Sequence, residues 1–213
     1  MKKEYELKPV CTLFAVTLLL TPLSLAIASS SADLNVSGTI IPSACTPTLS
    51  NSGVVEHGTI FAKSLNQDKT TDLPLQTLQL AINCEALRPL KLAVIDNRHG
   101  SSNSANAYGL GIINGNQQLG SFFIQMSNAM DEGVPRLTLG SKDGGATWGY
   151  TQWMDPVYPL YTVSSIRDTD KPIQAKNVTM DLIINTSIAR ADSLNLTGQV
   201  TLDGSITLEV GYL

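Results

Sequence analysis

The sequence predicts an all-β sandwich of short antiparallel strands. Three observations carry that expectation. Apolar residues recur at every second position in several stretches, the intervals between them are rich in Gly, Asn, Asp and Ser, and no segment repeats apolar residues at helical spacing. Alternation of this kind sets one face of a strand on a core and the other in water.

In chain order, the first residues read as a secretory signal and not as fold. Lys2, Lys3 and Lys8 make a basic start, VCTLFAVTLLL is an apolar run too short to span a bilayer, and Ala26 and Ala28 form an A-x-A cleavage pattern before Ser29, with Ala32 offering a second cut. Residues 1–28 are therefore expected to be removed. Residues 29–213 remain as one β-sandwich domain of about 185 residues, enough for a real core. The lost segment carries three Lys and two Glu, so the net charge moves from -4 to about -5. A mildly acidic exported chain is a poor partner for nucleic acid or an anionic membrane.

The alternating stretches follow. Leu34, Val36, Gly38 and Ile40 share one face, as do Leu78, Leu80, Ile82 and Cys84; Leu90, Leu92 and Val94; and Met180, Leu182, Ile184 and Ile188. The last stretch places Ile206, Leu208, Val210 and Tyr212 together and is followed by Leu213. NSG, DNRHGSSNSAN, INGN, KDGG and RDTD supply turns between them. EALRPL is expected to form a short turn, and the Ser- and Asn-rich stretch 99–107 an exposed loop.

Cys11 leaves with the signal, so Cys45 and Cys84 remain. In an oxidising compartment two cysteines are expected to pair. Closing a loop of about 40 residues contributes about 4 kcal/mol in the chain-entropy model. The alternative, a metal site, needs further ligands; the histidines are His57 and His99, and neither stands at a metal-binding spacing.

The stretch VSGTIIPSACTPTLSNSGVVEHGTI, with Gly53, Val55, Gly58 and Ile60 in a G-x-V-x-x-G-x-I pattern, resembles the opening of chaperone–usher pilus (fimbrial) subunits. LQLAINC, ending at Cys84, and the final alternating strand with its penultimate tyrosine match the same family in order. ACTPTLSNSGVV, AVIDNR and LDGSITLEVGYL look more narrowly like a group of fimbrin-like exported proteins of enterobacteria. The resemblance implies an immunoglobulin-like, pilin-type sandwich that is incomplete and is finished by a donor strand. It implies folding in the periplasm with a pilus chaperone, an outer-membrane usher and other fimbrial subunits as partners, and a place in a cell-surface fimbrium. Ile206, Leu208, Val210, Tyr212 and Leu213 would then line the groove that receives the chaperone or donor strand, and the chaperone would hold the Leu213 carboxylate. After cleavage at Ala28 only SSSAD precedes Leu34, so Leu34, Val36, Gly38 and Ile40 are the candidate donor strand. A terminal or minor component fits this short leader as well as a shaft subunit does.

One further pattern carries local chemistry. Ser141, Asp143, Gly145, Thr147 and Trp148 match the S-x-D-x-G-x-T-W Asp box of sialidases and other β-propellers. A propeller needs repeated blades, and this sequence holds one copy, so the expectation is a hairpin staple: Ser and Asp oxygens accept from turn amides while the Trp packs beneath. His57 and His99 lack a nucleophile elbow, P-loop or zinc signature and read as surface residues. The chain is not expected to be an enzyme or to hold a cofactor or metal. Trp148, Tyr150, Trp153, Tyr158 and Tyr161 form either a ligand platform or a small core under a long loop, with the core favoured. A monomeric adhesin or carbohydrate-binding module remains the alternative function, with a host or surface glycan bound in loops 97–107 or 141–172.

Overall fold

The computed structural model describes Ser37 and residues 45–213, and its longest element grows out of the alternation around Leu80. Among these residues thirteen strands occur: β1 (Cys45–Leu49), β2 (Thr71–Asp72), β3 (Gln76–Asp96), β4 (Tyr108–Gly109), β5 (Ile112–Ile113), β6 (Gln117–Gln118), β7 (Gly120–Asp131), β8 (Val134–Ser141), β9 (Gly149–Tyr150), β10 (Trp153–Met154), β11 (Leu160–Ser165), β12 (Gln174–Ile188) and β13 (Ile206–Tyr212). The chain divides into two units at Ile40–Ile41, and every strand named belongs to the second. The expected signal segment 1–28, its cleavage sites and the candidate donor strand at Leu34, Val36, Gly38 and Ile40 lie outside the described residues.

All strand pairs are antiparallel, and β3 organises them. Its first half lies between β1 and β12, and β12 continues the sheet to β7. Its second half pairs with β13 on the same side as β1, and with β11 on the other. The second sheet then runs from β11 to β8 and β9. One strand therefore serves two sheets, and the β7–β8 hairpin joins them again through the pairs Met130–Pro135 and Asp131–Val134. The result is an all-β, two-sheet sandwich with partial closure.

The buried face of each sheet is the face that alternation predicts. Leu78, Leu80, Ile82 and Cys84 are buried, as are Leu90 and Leu92 and, on β12, Val178, Met180, Leu182, Ile184 and Ile188. Ile82, Met126, Val178 and Met180 meet Leu90, Leu92, Tyr161 and Val163 around one small internal void. Burying a side chain such as Leu80 fully is worth about 2 kcal/mol.

Four expectations change. EALRPL is not a turn: β3 continues through it unbroken, carrying Leu87 exposed and bringing the chain from one sheet to the other. Pro89 is tolerated because only its carbonyl is needed, and that carbonyl accepts from Leu213 N at 2.8 Å. The G-x-V-x-x-G-x-I stretch is not a ladder strand: Gly58 takes φ +62°, which breaks a pleat, and residues 54–61 run outside the ladders. The loop 99–107 is not exposed throughout. Ser101 and Ala107 are buried, and Ser101 Oγ donates to Arg98 O at 2.7 Å and accepts from Gly111 N at 3.2 Å. Finally, β7, β8 and β11 lay in stretches without an assigned strand, although Phe122, Ile124 and Met126 alternate into the core.

Where β12 and β3 lose register between Ala175 and Asn177, a buried carboxylate fills the gap. Asp131 accepts from Lys176 N at 2.9 Å and Asn177 N at 3.1 Å, and Arg136 Nη2 reaches it at 3.3 Å. The bulge thus exposes two backbone donors that only a fixed anion satisfies.

Candidate functional site

The site follows from how β13 is held. Every second residue, Ile206, Leu208 and Val210, packs half-buried on the core, while Glu209 faces out. Both ends are tied. At the start, Asn97 Nδ2 donates to Ser205 Oγ and Thr207 Oγ1, each at 3.0 Å, and Arg98 grips Asp203 in a two-pronged pair at 2.7 and 2.6 Å. The Arg98 hydrogen bond holds the Asp203 carboxyl below the usual carboxylate range. At the far end, Cys45 N donates to Tyr212 Oη at 3.0 Å, so the start of β1 touches the end of β13. Tyr212 and Leu213 are nevertheless largely exposed, unlike the three apolar residues before them.

Among the described residues β13 pairs with β3 alone, so a ladder runs along one of its edges. Two further segments bring apolar side chains to the same core without joining a sheet. Val55 and Ile60 come from 54–61, and Leu194, Leu196, Val200 and Leu202 from the stretch ahead of β13. The latter group was legible as alternation at Leu194 and Leu196 but was not singled out. His57 lies in the first segment, with Nε2 3.0 Å from Thr186 Oγ1, and burial pushes its pKa down. It is half-buried and not a plain surface residue; His99 is exposed.

Cys45 and Cys84 are bonded as a disulfide and stand opposite each other in the β1–β3 ladder, with Cα atoms 4.0 Å apart. Both thiols are consumed by the bridge.

The Asp-box residues form the turn between β8 and β9, whose strands pair Leu139 with Tyr150 and Gly140 with Gly149. Ser141 Oγ donates to Asp143 Oδ1 at 2.8 Å, Thr147 N to the same oxygen at 2.9 Å, and Thr147 Oγ1 to Asp143 Oδ2 at 2.6 Å. Gly145 N donates to Ser141 Oγ at 2.9 Å and Trp148 Nε1 to Gly145 O at 3.0 Å. Gly145 takes φ +98°, the left-handed region that glycine supplies cheaply. The bonds from Thr147, then that from Ser141, hold the Asp143 carboxyl far below its ordinary value. The donors to this carboxylate, Ser141 and Thr147, are local, which makes this a turn staple.

The neighbouring aromatics split. Tyr161 is buried and its hydroxyl bonds Asp155 at both N and O, and Tyr158 is half-buried. Trp148 is half-buried under its own turn, whereas Tyr150 and Trp153 are exposed. The five residues thus make neither one core nor one platform.

Fold and site together define an all-β, disulfide-linked sandwich whose last strand is bound along one edge by β3. Residues 34–107, which include the disulfide and all of β3, match a family model described as a protein of unknown function (DUF1120). The chain is also 25% identical, over 222 residues, to the uncharacterized protein YhcF of Escherichia coli (strain K12), with 87% of this chain and 92% of that protein covered.

Proposed function

We propose that the chain is a fimbrial subunit-like structural protein with an immunoglobulin-like, pilin-type fold. It folds in the periplasm with a chaperone by donor-strand complementation and contributes to pilus assembly or cell adhesion at the cell surface. One observation carries the reading. Among the described residues β13 has a ladder on one edge only, while Val55 and Ile60 approach the same core from residues 54–61, which join no sheet. An added strand beside β13 would supply the backbone partners its second edge lacks, with alternate side chains packing on Ile206, Leu208 and Val210. The order of cysteines, central strand and terminal alternating strand supports the same assignment. In this reading the usher and other subunits are partners, the role is structural, and no cofactor is required.

The test is co-expression of the full chain with a periplasmic pilus chaperone. A one-to-one complex that is lost when Leu208 and Val210 are both replaced by Asp supports the reading. A chain that is soluble, monomeric and fully folded alone, and that fails to bind the chaperone, overturns it. Thermal melts of the double variant separate lost docking from lost folding: a variant that melts like the parent but no longer binds has lost the docking edge alone.

A further inference from the structure

Four segments converge on an open cleft of about 500 Å³ at the end of β12. Its lining includes Lys69, Asn103, Asn116, Gln117, Gln118 and Arg190. Two cations and four carboxamides meet there, and no carboxylate lines the cleft, in a chain whose net charge is -4. Part of this set is fixed. Gln117 Oε1 accepts from Asn114 Nδ2 at 2.7 Å and from Asn195 N at 3.0 Å, so its amide orientation is set, and Gln118 Nε2 donates to Gly100 O at 3.1 Å. Asp192 holds Arg190 Nε at 2.8 Å and leaves the rest of the guanidinium. The other part is uncommitted. Among the described residues the side chains of Lys69, Asn103 and Asn116 take no hydrogen bond or ion pair.

We infer that this cleft binds a saccharide bearing an anionic group. A carboxamide offers one acceptor and two donors, which matches a sugar hydroxyl that both gives and takes a hydrogen bond; Lys69 and Arg190 supply the complement to a carboxylate or sulfate. No aromatic face lines the cleft, so the stacking that single-stranded nucleic acid uses is missing there, and the acidic chain disfavours a polyanion. The inference is independent of the acceptor-strand reading. Gln174, at one end of β12, pairs with Pro89, the residue that bonds Leu213, whereas the cleft adjoins Ala189 at the other end. Fourteen residue steps at about 3.3 Å put roughly 45 Å between the two ends of β12, so the cleft is remote from the Leu213 end of β13, although the start of β13 is near it through Asp203 N to Leu110 O.

The test is titration calorimetry of the full chain, purified alone or with the chaperone that stabilises it, against sialyllactose, 6-sulfated lactose, lactose and acetate. Binding of sialyllactose or sulfated lactose, with lactose and acetate each at least about tenfold weaker, is expected; which of the two binds better identifies the anion. Lys69→Gln with Arg190→Gln is expected to weaken the anionic sugar roughly tenfold with the melting temperature unchanged, since both side chains are exposed. Trp153→Ala is expected to leave binding intact. No binding of either anionic sugar at about 10 mM, well above the Kd expected even of a weak site, overturns the inference. So does equal binding of lactose or acetate, or insensitivity to the double variant.

Discussion

Three hydrogen bonds converge on the Asp143 carboxylate, and each favours its charged form. Because the folded pKa is depressed, the turn's stabilisation is fully present above the ordinary aspartate value near 4 and is lost as pH falls through the lower folded value. Asp143→Asn is therefore expected to lower the melting temperature at neutral pH, and the gap between variant and parent is expected to close as pH drops below about 4. A gap that stays constant from pH 7 to pH 2 would mean that the carboxylate is not the source. The role of Ser141, Asp143, Gly145, Thr147 and Trp148 was legible because the motif is local: every partner lies within a few residues. Asp131 was not legible. Its donors, Lys176 and Asn177, are about 45 residues away, and nothing in the sequence near Asp131 announces a bulge on another strand.

At the scale of elements, β12 and the two halves of β3 were read from their periodicity because each buries one face, so pattern and burial coincide. Continuity across EALRPL was hidden. A Pro beside charged residues signals a break, and only pairing with β12 and β13 makes it a bend within a strand. β11 was missed because Thr162 and Ser164 are buried: polar residues occupy inward positions, Thr162 Oγ1 donating to Leu90 O at 2.6 Å, and the alternation disappears from view. The acceptor edge of β13 was legible as an alternating strand, whereas the packing of 54–61 on the same core was not, since that segment packs without pairing. The disulfide belongs to this scale too, because it clamps β1 to β3. Cys45→Ser with Cys84→Ser is expected to destabilise the fold by about 4 kcal/mol in denaturant titrations, and adding reductant to the parent is expected to reproduce that loss. A loss below about 1 kcal/mol would mean that the unfolded chain is not restricted by the bridge as the chain-entropy model requires.

For the whole molecule, the cleft lies far from the Leu213 end of β13 but close to the strand's start, because Ala189 N donates to Leu119 O and Asp203 N to Leu110 O. The meeting of Cys45 with Tyr212 has a different consequence, which concerns mechanical load. A pull that enters at Cys45 and leaves at Tyr212 is applied at two neighbouring points. The bridge passes it at once to Cys84, and only Glu85–Pro89 of β3 separates that residue from Leu90, opposite Tyr212. The 38 residues between the cysteines are thereby shielded from tension, and the strain falls on the β3–β13 ladder. Single-molecule stretching between these two points is expected to release roughly 130–140 Å more chain after reduction than before it. Equal extensions in the two states would show that the load takes another route. With the bridge intact, this corner of the sandwich acts as a short tether that can yield along β13 and leave the segment enclosed by the disulfide unstretched.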